Sequence, residues 1–202
     1  NFKANHRKLV IADRGTDVVS LVTSLNPHTG SWVHGNFAVE FIGGPWQELL
    51  ASEQAVATFS GQSFALDVTG LGVSTTTATS TVSLQVVTEG KIAQRIEQVL
   101  RQAKSGDQMY LSTFYLADRH VITELVQATL RGATAHVLLD PNKDAFGRTK
   151  DGLPNRAVAS ELMLHSSSRL SVRWYDTHGE QAHGKMLLIK KTDGTAVLVM
   201  GS

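Results

Sequence analysis

The sequence contains no cysteine, no long hydrophobic run and almost no net charge. The lack of cysteine excludes disulfide bonds and thiolate metal sites. No apolar stretch approaches the roughly 18 residues that a membrane-spanning helix needs. The formal net charge is +1, so the chain as a whole generates no strong field toward nucleic acid or an anionic membrane. A bound anion would therefore have to be held by a few cationic side chains that the fold brings together.

What is present is a change of pattern along the 202 residues. Residues 8–24 predict a β-hairpin, residues 37–43 a further strand, and residues 45–59 a helix. Residues 71–90 are rich in threonine and serine and carry little charge, which predicts a linker. From residue 91 onward, helical and strand patterns alternate, which predicts an α/β fold with a parallel or mixed sheet. No glycine-rich phosphate loop is present.

Two stretches share a His-x-Lys spacing. HRKLVIAD contains His6 and Lys8, and HGKMLLIK contains His183 and Lys185; each runs into a short apolar strand that turns and returns to a serine. Residues two apart on a strand point to the same face, so each histidine would lie beside its lysine. The other histidines, His34 among them, have no such context. The repetition predicts a duplicated site.

These stretches resemble the phospholipase D superfamily, whose signature is His-x-Lys-x4-Asp followed by Gly/Ser-Ser-x-Asn. The similarity to its bacterial phospholipase D-like and cardiolipin synthase-like branch extends to LSTFYLADR, LLDPNKDAFGR, GLPNR and RWYDTHGEQAHGKM. It implies an α/β fold of two similar halves, each with a mixed sheet flanked by helices, and an active site at their pseudo-twofold interface. The chain begins and ends inside motifs, so we expect a fragment. Residues 1–70 would be the C-terminal part of the first half, 71–90 the linker, and 91–202 the N-terminal part of the second half.

The resemblance implies that His6, Lys8, His183 and Lys185 are catalytic. Glu40 would lie inward and orient the His6 imidazole. One histidine attacks phosphorus to form a phosphohistidine, and the other exchanges protons with the leaving and incoming oxygens. The first-motif histidine is commonly the nucleophile in this family, which gives that role to His6 and acid–base work to His183. Neutral groups for the phosphoryl oxygens would come from Ser24, Asn26, Asn36 and Ser202. No metal or other cofactor is expected.

The two motifs differ at the aspartate position. Asp13 fits the signature and is expected to be structural, whereas the second motif has Lys190 there. That position lies about 15 Å along the strand from the histidine, at about 3.3 Å per residue. We therefore expect activity to survive the change. A degenerate, inactive binding or scaffold member is the alternative that Lys190 supports.

The function that the resemblance implies is phosphodiester hydrolysis or transfer on phospholipids. The partner would be a phospholipid at a membrane surface, for a protein that is soluble or peripherally associated. A nuclease of the same superfamily is the other candidate, and the small net charge argues mildly against it. One basic loop either holds an anionic headgroup or is simply solvated; its cations are Lys143, Arg148, Lys150 and Arg156.

Overall fold

A computed structural model describes residues 6–71, 81–145, 148–149 and 151–201 of the chain. The predicted α/β class is confirmed. In chain order, the elements of the described residues are β1 (Leu9–Arg14), β2 (Asp17–Thr23), a 3-10 turn (Thr29–Ser31), β3 (Ala38–Ile42), α1 (Trp46–Phe59), α2 (Gly90–Arg101), β4 (Gln108–Thr113), α3 (Arg119–Leu130), β5 (Thr134–Leu139), β6 (Asp144–Ala145), β7 (Arg148–Thr149), α4 (Asn155–His165), β8 (Leu170–Trp174), β9 (Met186–Lys190) and β10 (Ala196–Met200).

The first sheet has the order β1-β2-β3 and is antiparallel. A tight turn joins β1 to β2, and Gly15 supplies the positive φ of 68° that this turn requires. Helix α1 follows β3 and buries Trp46 and Leu49. The mixed sheet expected for the fold is found in the second part of the chain, and this first sheet is antiparallel throughout. Its strands are joined by a hairpin and a loop without a crossover helix, so each strand runs opposite to its neighbour.

The second sheet has the order β10-β9-β4-β5-β8 and is mixed. Strands β4, β5 and β8 are parallel, and helices α3 and α4 form the crossovers between them. Asp118 is the N-cap of helix α3, and its carboxylate accepts hydrogen bonds from the backbone amides of His120 and Val121. The apolar core lies between this sheet and the helices, with Leu100, Met109, Ile122, Leu125, Leu139, Leu162 and Ile189 almost fully buried.

Strand β9 begins at the edge of the sheet where the parallel strands end. Ser112, near the end of β4, pairs with Met186, the first residue of β9, because the two strands run antiparallel. The second His-x-Lys motif therefore lies at the carboxyl edge of the parallel strands, where the ligand sites of α/β sheets form.

The division of the chain at residues 71–90 stays a prediction. Residues 60–71 and 81–88 contain no helix or strand, and the Thr/Ser-rich residues 72–80 lie outside the described part of the chain. Among the described helices, none has the length and apolar character needed to cross a membrane.

Candidate active site

The second-motif histidine is held by the first part of the chain. His183 is buried, and its Nδ1 lies 3.0 Å from the carbonyl oxygen of Ser24 and 3.3 Å from Oδ1 of Asn36. A carbonyl oxygen only accepts hydrogen bonds, so Nδ1 carries the proton in the neutral ring. Nε2 is then unprotonated, and it lies 3.1 Å from Nζ of Lys185. This imidazole thus presents one defined nitrogen to its lysine.

The first motif has the same local arrangement. Nζ of Lys8 lies 2.9 Å from Nδ1 of His6 and donates a hydrogen bond of 2.7 Å to the His6 carbonyl oxygen. Lys185 makes the matching 2.7 Å bond to the carbonyl oxygen of His183. Arg7, which stands between His6 and Lys8 in the sequence, donates a hydrogen bond of 3.0 Å to the carbonyl oxygen of Ser52 in α1. The motif is therefore anchored to α1 while Lys8 is turned toward His6.

The four motif side chains lie within electrostatic reach of one another. Burial, followed by the positive charges of Lys8 and Lys185, lowers the pKa of His6. Burial and then Lys185 lower the pKa of His183 to about 4, and Lys8 contributes from the other motif. Burial, with a contribution from Lys8, lowers the pKa of Lys185 to about 8. These effects cross between the motifs, so each pair lies within reach of the other's positive charge.

Two of the predicted phosphate-binding residues instead support the second motif. Oγ of Ser24 donates to Oδ1 of Asn36 at 3.1 Å and accepts from the backbone amide of Phe37 at 3.0 Å. Nδ2 of Asn36 donates to the carbonyl oxygens of Ser31 and His34. Both residues therefore shape the loop against which the second histidine packs.

The two remaining predicted phosphate-binding residues are Asn26 and Ser202. Asn26 is half-buried, and its backbone amide donates to Oγ of Ser31 at 3.1 Å. Ser202 lies outside the described residues. A phosphate-binding role stays a prediction for both.

The same loop is joined to the second motif through backbone groups. Gly35 donates to the carbonyl oxygen of Gln181 at 2.7 Å, and Gly184 donates to that of Gly35 at 2.8 Å. A Cβ at Gly184 would lie only 2.4 Å from the ring of Phe37, so the close approach requires glycine. These contacts fix the two sequence-distant segments against each other.

Sequence reasoning missed His34. Its Nδ1 accepts a hydrogen bond of 3.1 Å from the Gln181 amide, and its ring centroid is 6.4 Å from that of His183. The sequence around His34 contains no motif that indicates a site. His34 reaches the site only because its loop packs against the second motif in the folded chain.

Sequence reasoning also missed Asp140, the buried carboxylate that follows β5. Its Oδ2 accepts from the Ala182 amide at 2.7 Å, and Ala182 immediately precedes His183. Its Oδ1 accepts from the Asn142 amide at 2.6 Å, and its carbonyl oxygen accepts from Nδ2 of Asn155 at 2.9 Å. An aspartate at the carboxyl end of a buried parallel strand is a signal that could have indicated it.

Comparison with known proteins agrees with this geometry. The family model "Cardiolipin synthase, PLD-like domain" matches residues 96–202, just over half of the chain. The chain belongs to this phospholipase D-like family. The matched part runs from within α2 to the second motif, and His6 with Lys8 precedes it.

A solved structure has a similar fold. Polyphosphate kinase from Porphyromonas gingivalis has a TM-score of 0.50 and 13% sequence identity, over 96% of this chain and 27% of that chain. The phospholipase D-like chain thus spans about a quarter of that protein's length. An archaeal chromatin protein has a TM-score of 0.37 and 16% identity, over 78% of this chain and 59% of that chain. No curated protein sequence matches the chain.

The inward placement of Glu40 is wrong. Glu40 pairs with Leu21 in the first sheet and is exposed, whereas Val39 and Phe41 occupy the more buried face of β3. The side chains of β3 do alternate, but the less exposed positions are the odd-numbered ones, and this turns the carboxylate outward. Within the described part of the chain the Glu40 carboxylate makes no hydrogen bond or ion pair. The side chain of Asn36 lies against the imidazole of His183.

The aspartate position of the phospholipase D-like signature is remote from both histidines. Asp13 is exposed near the end of β1 and pairs with Val18. Lys190 is exposed at the end of β9, with its ammonium 5.9 Å from the centre of the Tyr110 ring. Lys190 therefore leaves the geometry of the second motif intact. Among the described residues, no group of three or more histidine, aspartate and glutamate side chains has the geometry of a metal site.

Proposed function

We propose that the protein cleaves or transfers phosphodiester groups of phospholipids through a covalent phosphohistidine. One observation carries this proposal: two His-x-Lys pairs from distant parts of the chain lie within reach of each other's positive charge. Each lysine has its own histidine as a close partner, and their charges lower the pKa of both imidazoles. An anion is the ligand that would relieve this repulsion.

A phosphodiester anion would reorganise the two pairs. Its non-bridging oxygens are stronger acceptors for Lys8 and Lys185 than a neutral imidazole is. As the two ammonium groups turn to the phosphate, they leave the ring nitrogens that they contact in the free site. Those nitrogens then become available for attack on phosphorus and for proton transfer. The negative charge also raises the pKa of both imidazoles. The neutral state of the free site is therefore suited to attack, and the bound state is suited to proton donation.

The reaction would proceed in two displacements. A ring nitrogen of His6 attacks phosphorus and forms a P–N bond, while the bond to the leaving alkoxide breaks and that oxygen takes a proton from Nε2 of His183. Neutral His183 then removes a proton from water or an alcohol, whose oxygen attacks phosphorus and breaks the P–N bond. The contact of its Nδ1 with the Ser24 carbonyl keeps Nε2 as the atom that exchanges protons.

Two further observations favour a lipid over a nucleic acid. Trp32 and Val33 are 73% and 69% exposed in the loop that also carries His34. Tryptophan beside an apolar residue is suited to the boundary between water and acyl chains. The net charge of +1 also differs from the strongly basic surface typical of nucleic-acid enzymes.

The test is a cleavage assay on phosphatidylglycerol, phosphatidylcholine and single-stranded DNA with a chelator present. We expect lipid cleavage in the chelator, because charge stabilisation and proton transfer are both assigned to side chains. His6→Ala and His183→Ala should each abolish it, whereas His120→Ala, which removes an exposed histidine, should not. Cleavage of DNA alone would indicate a nuclease. No cleavage of any substrate would contradict the proposal and favour a binding protein.

A further inference from the structure

A second cationic site lies beside the catalytic centre. A cavity of about 450 Å³ lies at the carboxyl ends of β5 and β8, and its walls include Lys143, Arg156, Trp174, Tyr175 and Asp176. Neighbouring parallel strands end there, which is the usual position of a ligand site in an α/β sheet. No step of the proposed reaction uses this cavity.

The cavity is positively charged. Within the described residues, the side chains of Lys143 and Arg156 have no ion pair or hydrogen bond. Asp176 is the acidic residue of the lining, but its side chain is 94% exposed and lies 3.8 Å from Nε2 of His178. Arg156 belongs to the first turn of the 11-residue helix α4, whose N-terminal end adds partial positive charge. Two cations from different elements thus line one cavity, and the acidic residue of its lining is turned largely into solvent.

Aromatic rings form another wall. Trp174 is 45% exposed although it ends a strand of the main sheet, and Tyr175 follows it. An indole that lines a cavity offers a flat face to an organic group as well as an N–H donor. Cations beside aromatic rings suit a phosphate that is carried on an organic group.

One buried carboxylate fixes this cavity relative to the catalytic centre. Asp140 holds the Asn142 amide with one oxygen and the Ala182 amide with the other. Asn142 precedes Lys143, and Ala182 precedes the second-motif histidine. The side chain of Asn155, which precedes Arg156, donates to the Asp140 carbonyl oxygen.

Tyr175 provides a second connection. A Cβ added at Gly35 would lie 3.1 Å from the Tyr175 hydroxyl, so this side chain packs against the loop that supports the second motif. The cavity wall therefore adjoins the loop that contacts the catalytic imidazole.

We propose that this cavity binds a second phosphate group of the substrate or of the acceptor, held by Lys143 and Arg156 beside Trp174. This inference deepens the proposed function and rests on it. A solvated basic loop would direct its cations separately into water. Here one cation from the loop after β5 and one from α4 share a cavity, and the same aspartate supports both.

The binding test uses inorganic phosphate as the probe. The protein is labelled with 5-fluorotryptophan, and the Trp174 signal is identified by its loss in Trp174→Phe. Phosphate should shift this signal saturably in the wild type and in His6→Ala, and the double variant Lys143→Gln/Arg156→Gln should abolish the shift. Lys91→Gln/Arg95→Gln, which removes two cations of α2 that do not line this cavity, is the matched control and should retain the shift. An equal shift with chloride at the same ionic strength, or an unchanged shift in the Lys143/Arg156 variant, would overturn the proposal.

The kinetic test compares phosphatidylglycerol phosphate, which has two phosphates, with phosphatidylglycerol, which has one. In mixed micelles, Lys143→Gln/Arg156→Gln should raise the ratio of their KM values about tenfold, the effect of losing about 1.4 kcal/mol of binding. Soluble glycerol 3-phosphate should compete if the second phosphate is that of an acceptor, and should have no effect if it belongs to the lipid. An unchanged KM ratio would contradict a phosphate-specific cavity. If no lipid is cleaved, the proposed function fails, and the fluorine titration still decides whether the cavity binds phosphate.

Discussion

Acidification should destabilise the folded chain through His183. The fold favours the neutral imidazole, because burial and the nearby Lys185 lower its pKa from 6.5 to about 4. A histidine whose pKa is lowered by folding contributes its full stability above the unfolded pKa. That contribution is lost as the pH falls from about 6.5 toward 4, since the unfolded chain then binds a proton that the folded chain does not.

The size of the effect follows from the interval between the two pKa values. Each unit is worth about 1.4 kcal/mol, so complete loss corresponds to about 3 kcal/mol. At about pH 5 the expected loss from this one group is about 2 kcal/mol, a large part of the stability of a typical domain.

The assay is urea unfolding of the wild type and of His183→Gln between about pH 7.5 and pH 5. Glutamine retains a donor for the Ser24 carbonyl oxygen but does not titrate. The free energy of unfolding of the wild type should therefore fall more steeply than that of the variant. His120→Gln removes an exposed histidine and controls for the general effect of fewer histidines. Parallel pH dependences of the wild type and His183→Gln would refute the account of the buried, neutral imidazole.

Further substitutions test the geometry around the site. Asp140→Asn should reduce stability by about 2 kcal/mol in urea melts, because a buried backbone amide loses its acceptor, and should lower turnover more than it raises KM. Gly184→Ala should lower the free energy of unfolding by about 2 kcal/mol, because the new methyl group clashes with the ring of Phe37. Adding Phe37→Leu to that variant should recover part of the loss. If the effects of the two substitutions on the free energy of unfolding simply add, the contact is contradicted. Glu40→Gln and Lys190→Asp should each change stability by less than about 0.5 kcal/mol and leave turnover near that of the wild type, because both side chains are exposed; a large loss of turnover in either would contradict the placement.

The repeated motif and the order of strands and helices could be predicted from local sequence. His-x-Lys before an apolar run requires only strand alternation, and the boundaries of β1, β2 and β9 follow the apolar residues. The direction of a strand within its sheet could not be predicted from the pattern. The sequence therefore did not indicate that the motif at the start of β9 lies beside the ends of β4 and β5. That position depends on antiparallel pairing between residues far apart in the chain.

The errors and omissions share one physical origin. Glu40 was expected inward because it alternates with apolar residues, but period-two alternation alone does not say which set faces the core. His34 and Asp140 act through contacts with residues 181 and 182, more than 40 positions away along the chain. Only tertiary packing creates those contacts, so the sequence around either residue carries little trace of them.

The most direct measurement of the central claim, that both motifs act on one phosphorus, is identification of the covalent intermediate. The His183→Ala protein is mixed with a phosphodiester lipid that carries a p-nitrophenyl leaving group, which needs little protonation to depart. After rapid quenching, mass spectrometry should find an acid-labile phosphoryl adduct on His6 that decays slowly for lack of a base. The His6→Ala protein should give no adduct and no p-nitrophenol. Absence of any adduct in His183→Ala, with p-nitrophenol release unchanged by loss of either histidine, would contradict a shared site.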